Sequence, residues 1–379
     1  MAKQLRVGVI FGGRSGEHEV SVRSAASLIE SIDRRKYDVL PIAISREGKW
    51  LSPPEASQLL PQETQALLPS SLVSEASGAV AILGDPSHSG LVSFDRNGGA
   101  LTSERLDVVF PVLHGPFGED GTLQGLLEMA NIPYVGCGVL ASSCGMDKVA
   151  MKLLFLQAGL PLCKYLWFLR SHWQNDRGKV IRTIRREIGL PCFVKPANLG
   201  SSVGISRAHD KASLEQAVEL AARYDRKIVV EEAVDAREIE CAVIGNDEPR
   251  ASLPGEYVVY ENSARFLDYE EKYTKTGHVD FVVPAPVSKS LAAKIQRMAI
   301  QAFQSIDGAG LARVDFFLRR DTKELLVNEL NTMPGLTEVS GYPKMWAASG
   351  LSYPRMLDVL IKLALERHRE KSRNKTTRD

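Results

Sequence analysis

The segment from Gly310 to Gly335, GLARVDFFLRRDTKELLVNELNTMPG, constrains the fold more tightly than any other. Two apolar runs, Leu311 to Leu318 and Leu325 to Leu330, flank the polar turn Arg319-Arg320-Asp321-Thr322-Lys323, a pattern that predicts an antiparallel hairpin. Strand alternation then puts Arg313 and Asp315 on one face of the first strand, and Glu329 and Asn331 on one face of the second. Two carboxylates and an amide oxygen are hard ligands of the kind Mg²⁺ accepts beside water and phosphate. Arg313, two residues from Asp315, is placed to hold an anion. Surface ion pairs would explain Asp315 or Glu329 alone. Yet each polar residue interrupts an apolar run, where an unpaired charge is costly. The face therefore reads as a metal and phosphate site.

The chain before this hairpin alternates strand and helix signals. LRVGVIFGG is a short strand ending in glycines, the following segment carries Val22, Ala25, Leu28, Ile29 and Ile32 at helical spacing, and YDVLPIAI is a second strand. This β-α-β unit predicts a parallel sheet with its ligand end at GGRSGEHE. The turn does not fit G-x-G-x-x-G, which argues against a dinucleotide. From about 48 to 106 the sequence mixes Pro, Ser and Gly with short apolar pieces, an insertion in the first domain with little chemistry. MDKVAMKLLFLQAG opens a helix that ends at Gly159. PCFVKPANLGSSVGISR reads as two strands around a loop, KIVVEEAV and REIECAVIG as further strands, and YPRMLDVLIKLALERH as an amphipathic helix before a solvated tail.

Several residues in these elements can carry chemistry. The loop PANLGSSVG combines glycine-freed amides with the hydroxyls of Ser201 and Ser202, a composition suited to phosphate oxygens. No lysine and Ser/Thr pair closes it as in a P-loop. Lys195, inside the apolar CFVKP, calls for an anion. Lys148 at its helix start can reach phosphate, although in isolation it reads as a surface lysine. Glu231 and Glu232 end a strand, where they can accept bonds from a ribose or adenine or serve as edge-strand charges. Glu17 reads as either a helix cap or a substrate ligand. His114 reads most simply as a satisfied core histidine. Together, two lysines, a phosphate-type loop, three Mg²⁺-type ligands and an arginine describe an ATP site, and the absence of HRD and DFG motifs excludes a protein kinase.

Composition limits the alternatives. With Lys+Arg 47 against Asp+Glu 46 the net charge is +1, which does not favour nucleic acid or an anionic membrane as partner. The apolar run Val7 to Phe11 is too brief for a signal peptide or a membrane span, so a cytoplasmic location is expected. The five cysteines include no C-x-x-C pair and read as buried thiols in a reducing compartment.

GGRSGEHEVS, HGPFGEDGTLQG, PYVGCGVLASSCGMDK, VKPANLGSSVG, DYEEKY, RVDFFL and NELNTMPGLTEVSGYPKMW follow one another in an order that resembles the D-alanine-D-alanine ligases of the ATP-grasp superfamily. The resemblance covers nearly the whole chain. It implies an α/β chain with an N-terminal Rossmann-like, pre-ATP-grasp substrate domain over 1–136, a central ATP-grasp subdomain over 137–232, and a C-terminal one over 233–379 that carries the metal hairpin. It implies ATP-dependent joining of two D-alanines through a D-alanyl phosphate, for peptidoglycan precursors. The alternatives within it are D-alanyl-D-lactate or D-alanyl-D-serine formation, or another carboxylate-amine ligation.

Carried over by motif, Lys148 and Lys195 would contact ATP phosphates, joined by the Ser201 and Ser202 loop. Glu231, Glu232 and Glu238 would line the adenosine end, and Lys272 would sit near the transferred phosphoryl group. Asp315, Glu329 and Asn331 would hold two Mg²⁺ ions, for which Mn²⁺ would substitute. Glu17 and His114 would orient the first D-alanine, with Ser201 and Tyr273 completing a hydrogen-bonded set with Glu17. Arg313 and the Gly335 N–H would form the oxyanion site, and Ser340 would bind the second D-alanine's carboxylate. Tyr273 favours an amine nucleophile, and Gly341 implies a looser second pocket. The family also implies a homodimer.

Overall fold

A computed structural model describes residues 4–69, 79–94, 100–200, 203–259, 279–375 and 378, so Ser201, Ser202, Lys272 and Tyr273 lie outside the described residues. The chain opens with β1 (Leu5–Gly12), α1 (His18–Ser31), β2 (Tyr37–Ile44) and β3 (Trp50–Leu51). Two short helices follow, α2 (Pro53–Gln58) and α3 (Gln62–Gln65), then β4 (Val80–Ile82), β5 (Gly90–Phe94), β6 (Ala100–Arg105), β7 (Val108–Pro111) and α4 (Thr122–Met129). β1 pairs in parallel with both β2 and β7, giving the order β3-β2-β1-β7. The β-α-β reading therefore holds. Within the insertion, β4, β5 and β6 form their own antiparallel sheet.

Next come α5 (Val139–Met146), α6 (Lys148–Gln157), β8 (Tyr165–Leu169), α7 (Arg170–Asn175), α8 (Arg177–Glu187), β9 (Cys192–Pro196), β10 (Ser206–Ala208), α9 (Lys211–Tyr224) and β11 (Lys227–Glu232). The strands form a sheet in the order β10-β9-β11-β8. Asp147 caps α6 by accepting from the amides of Val149 and Ala150 at 2.9 and 3.1 Å. The helix stops at Gly159, whose φ of +75° is one a side chain would resist.

The remainder comprises β12 (Ala236–Gly245), β13 (Arg250–Ala251), β14 (Gly255–Val259), β15 (Val279–Val282), α10 (Lys289–Ser305), β16 (Gly310–Arg319), β17 (Leu325–Asn331), α11 (Gly341–Ala348) and α12 (Tyr353–Lys371). The sheet runs β15-β14-β12-β16-β17, with β13 on β12. The predicted hairpin is β16–β17. Val7, Val9 and Phe11 of the first sheet share one buried cluster with Ala242 and Leu311 of this sheet and with Leu357, Leu360 and Ile361 of α12. That shared core fixes the ligand end of β1 against the hairpin. Apolar burial of this extent is the main source of such rigidity.

Candidate active site

The hairpin register brings the four expected residues together. Arg313 pairs with Asn331 and Asp315 with Glu329, so all four project from one face. Arg313 grips Asp315 through two bonds, Nε to Oδ1 at 2.7 Å and Nη2 to Oδ2 at 2.6 Å. Asn331 Nδ2 donates to Asp315 Oδ2 at 3.1 Å, which leaves its Oδ1 as a ligand atom. Glu240 of β12, opposite Asp315, lies 3.3 Å from Arg313 Nε. After Asp315 the register slips, so that Phe316 faces Val327 and Asn328 becomes the extra residue of a bulge. Asn328 and Glu329 then line a cavity together with Arg313 and Asn331.

The cavity's opposite wall is cationic. α6 places Lys148 and Lys152 one turn apart on the same side of the helix. Lys148, buried rather than a surface lysine, donates to the Leu199 carbonyl at 2.7 Å and lines the cavity. Burial lowers its ammonium pKa, and Glu329 opposes that shift. Lys195 on β9 also lines the cavity, and its Nζ lies 2.7 Å from Glu231 Oε2. Burial alone would lower the pKa of Lys195, but Glu231 outweighs it and holds the group above its ordinary range.

The third side comes from the ends of the first parallel strands. Glu17 occupies the cap position of α1 but makes no side-chain cap bond, so the capping reading fails. Its carboxylate instead reaches between two glycines: a Cβ on Gly115, where φ is +76°, or on Gly200 would lie 3.1 Å from Glu17 Oε2. His114 Nδ1 donates to the Met333 carbonyl at 3.0 Å, while Nε2 is buried with no hydrogen-bond partner among the described residues. A carbonyl acceptor fixes the proton on Nδ1, and burial keeps the ring neutral against the pull of Glu17. Nε2 is therefore a lone-pair acceptor on the cavity wall. Glu119 lines the same cavity and accepts from Gly115 N at 3.0 Å. Burial and then the neighbouring Glu17 push its carboxyl up to about 8.

Not every expected residue lies in this constellation. Glu238 and Gly335 line the cavity. Asp315 sits just behind it, 8% exposed, and Ser340 is not part of the wall, its hydroxyl lying 2.6 Å from that of Thr337. Glu231 differs from both sequence readings. Its strand runs between β9 and β8 rather than along an edge, and its buried carboxylate is held by Lys152 at 2.9 Å and Lys195. Glu232 is likewise engaged, by Arg319 at 2.6 Å and by the Lys164 amide at 2.9 Å, and neither glutamate lines the cavity. The space expected beside Gly341 is filled. A Cβ there would lie 2.9 Å from Glu240 Oε2 and 3.1 Å from Phe281. Glu119, Lys152, Glu240 and Asn328 have no role in the sequence reading, although Glu119 lies in the GEDG loop and Asn328 opens the NELN motif.

Among the described residues no set of three His, Cys, Asp or Glu side chains is arranged around a metal position. The hairpin set, two carboxylates and an amide, has the donor chemistry for Mg²⁺ without being such a set. Nor is any helix among them long and apolar enough to cross a membrane.

The family model described as D-ala D-ala ligase N-terminus matches residues 6–137, and that described as D-ala D-ala ligase C-terminus matches 154–362. The chain is 47% identical over 374 residues to the D-alanine--D-alanine ligase of Natranaerobius thermophilus, covering 99% of this chain and 98% of that one. It is 48% identical over 378 residues to that of Heliobacterium modesticaldum, covering 100% and 99%. Among solved structures it superposes on the D-alanine-D-alanine ligase from Coxiella burnetii with a TM-score of 0.81 at 36% identity, covering 98% and 97% of the two chains. A D-Ala:D-Ser ligase from Enterococcus faecalis gives 0.81 at 35% identity, covering 96% and 100%. These structures share the ATP-grasp fold, and with both of its halves matched the chain belongs to the D-alanine-D-alanine ligase family.

Proposed function

We propose that this protein joins two D-alanines at the expense of ATP, releasing ADP and phosphate, for peptidoglycan precursor synthesis. One observation carries the reading: Arg313, Glu329 and Asn331 of the in-register hairpin set, with Asp315 bonded behind Arg313, line the same cavity as Lys148 and Lys195, which Glu17 and His114 also line. Lys148 and Lys195 hold the nucleotide phosphates, and Glu238 lines the nucleotide's path. The hairpin carboxylates and Asn331 would hold Mg²⁺, two ions for which Mn²⁺ would substitute, and bound there the ions would supply charge neutralisation for the phosphates.

The chain's own groups then account for the order of events. Glu17 takes the ammonium of the first D-alanine, and His114 Nε2 offers a second acceptor. The terminal phosphoryl group passes to the substrate carboxylate, converting a poor electrophile into an acyl phosphate. The neutral amine of the second D-alanine attacks that carbonyl, the C–N bond forms, the C–O bond to phosphate breaks, and the proton lost from nitrogen leaves with the phosphate. Negative charge gathers on the carbonyl oxygen in between, where Arg313 and the Gly335 N–H lie. Asp315 and Glu240 fix the plane of the Arg313 guanidinium, so its donors are set before charge develops. Ser340, Lys272, Ser201, Ser202 and Tyr273 keep the roles the family implies, as do the three-domain division, a homodimer and a cytoplasmic location.

The deciding measurement is phosphate release from Mg·ATP by the purified protein with no amino acid, with D-alanine, or with L-alanine. Release that requires D-alanine, with D-alanyl-D-alanine identified by mass, is the expected result. ATP binding without D-alanine-dependent release would refute the substrate assignment and leave only the nucleotide site.

A further inference from the structure

The reaction above makes no use of Lys152, although among the described residues it is one of the largest fully buried side chains, only 1% exposed. It does not line the cavity. Its Nζ lies 2.9 Å from Glu231 Oε1, donates to the Asn328 carbonyl at 3.2 Å, and stands 5.5 Å from the centre of the Tyr165 ring.

The strand register explains how this ammonium meets Lys195. In the β9–β11 pair Lys195 faces Val229 and Phe193 faces Glu231, so Lys195 and Glu231 are diagonal neighbours on one face of the sheet. Tyr165 of β8 stands opposite Glu231 on that face, and Val149 of α6 packs against Val229 over it. α6 thereby lowers Lys152 onto the far side of the Glu231 carboxylate. One carboxylate is shared by two ammonium groups, and only Lys195, with 11% of its side chain exposed, reaches the cavity.

We propose that Lys152 is a positioning residue of the nucleotide site, which fixes Glu231 as the anchor of Lys195 and keeps one positive charge of the triad unspent for phosphate. The inference rests on the reading of Lys195 as a phosphate contact. Without Lys152 the carboxylate would neutralise Lys195 outright, and the anion facing this wall would meet an ion pair instead of a cation. Stability alone accounts poorly for the arrangement, because buried ion groups are commonly replaced by apolar side chains at little cost. The bond to Asn328 extends the effect to the opposite wall, since Asn328 is the bulge residue that sets the position of Glu329.

The test is titration of Mg·ADP into the full-length protein by calorimetry, together with steady-state constants for ATP and D-alanine. Lys152→Met is expected to weaken Mg·ADP about tenfold and raise KM for ATP in parallel, with KM for D-alanine unchanged and with Lys152→Arg restoring most of the loss. If Lys152→Met does not fold, Lys152→Gln keeps donors toward Glu231 and Asn328 while removing the charge, and the same loss is expected. Mg·ADP binding within twofold of the parent in the folded neutral variant, beside a clear loss in Lys195→Met, would overturn the proposal. No loss in Lys195→Met would instead overturn the phosphate assignment on which it rests.

Discussion

The hairpin face and the lysine wall face one cavity with opposite charge imbalances. On the hairpin side, among the described residues, Arg313 is the cation set among Asp315, Glu240 and Glu329. On the wall Glu231 is the single carboxylate among Lys148, Lys152 and Lys195. The wall settles its excess through carbonyls: Lys148 bonds Leu199 and Lys152 bonds Asn328. The hairpin side gathers its own around Arg313, which bonds Asp315 and lies 3.3 Å from Glu240, while Asn331 also donates to Asp315. Counted over these groups, one side carries net positive charge suited to an anion, and the other net negative charge suited to metal cations. A polyphosphate carrying its own metal ions satisfies both, which is why neither side alone would define the ligand.

Removing the cation of the hairpin side tests that comparison most severely. Arg313→Ala is expected to lower turnover by about 10² to 10³, or roughly 3 to 4 kcal/mol of transition-state stabilisation, by analogy with the loss of an oxyanion donor. Single-turnover rates at saturating ATP and D-alanine measure it in the variant shown by circular dichroism to be folded. An unchanged rate would take Arg313 out of the chemistry and leave it as a brace between Asp315 and Glu240.

A neutral hairpin carboxylate should separate metal from nucleotide. Glu329→Gln is expected to raise the Mg²⁺ concentration for half-maximal activity by about 10- to 100-fold. Metal-free ADP should bind the same variant as tightly as the parent or more so, because a negative charge near Lys148 has been removed. Equal losses with and without metal would mean that Glu329 serves the nucleotide directly, and the contrast between the two walls would collapse.

The amino-acid end adds a proton to the comparison. In the folded chain burial and Glu17 keep Glu119 protonated up to about 8, against an ordinary value of 4.5. The folded state therefore binds more protons than the unfolded state between those limits, so stability falls as pH rises through that window. Melting temperatures from pH 5.5 to 9 should show this fall. Glu119→Gln, which cannot ionise, should reduce it by on the order of 2 °C. Parallel curves for the two proteins would place the proton elsewhere.

The residues legible in the sequence were those whose surroundings are local. Arg313, Asp315, Glu329 and Asn331 each interrupt an apolar strand, so alternation alone gave their shared face and the register agreed. Lys195 was legible for the same reason. Lys152 was not, because a lysine in a helix reads as solvent-facing until a sheet with a carboxylate is laid against it. Glu240 alternates correctly on β12, but its meeting with Arg313 depends on which strand becomes its neighbour. The bulge at Asn328 leaves no residue signature, since the slip belongs to the pairing rather than to either strand. Glu17 shows the converse error: its position fits a helix cap, yet its side chain leaves that position for the cavity.

The smallest expected effect separates Glu232 from its neighbour Glu231. Both were read as adenosine contacts, but Glu231 is buried between two lysines, whereas the Glu232 carboxylate is one-fifth exposed and bonded to Arg319 and to the Lys164 amide. Neutralising Glu231 disturbs the charge that Lys195 presents, while neutralising Glu232 removes only a partly solvated pair at the end of β11. Glu232→Ala is therefore expected to leave KM for ATP within about twofold and to cost on the order of 1 kcal/mol of stability, near the upper end of the range for solvent-exposed ion pairs because this pair is only partly solvated. Denaturant midpoints and ATP saturation curves for the two variants, measured side by side, make the contrast. A large rise in KM from Glu232→Ala would show that the carboxylate leaves Arg319 for the nucleotide when it binds, and the wall would then end one residue further along the strand.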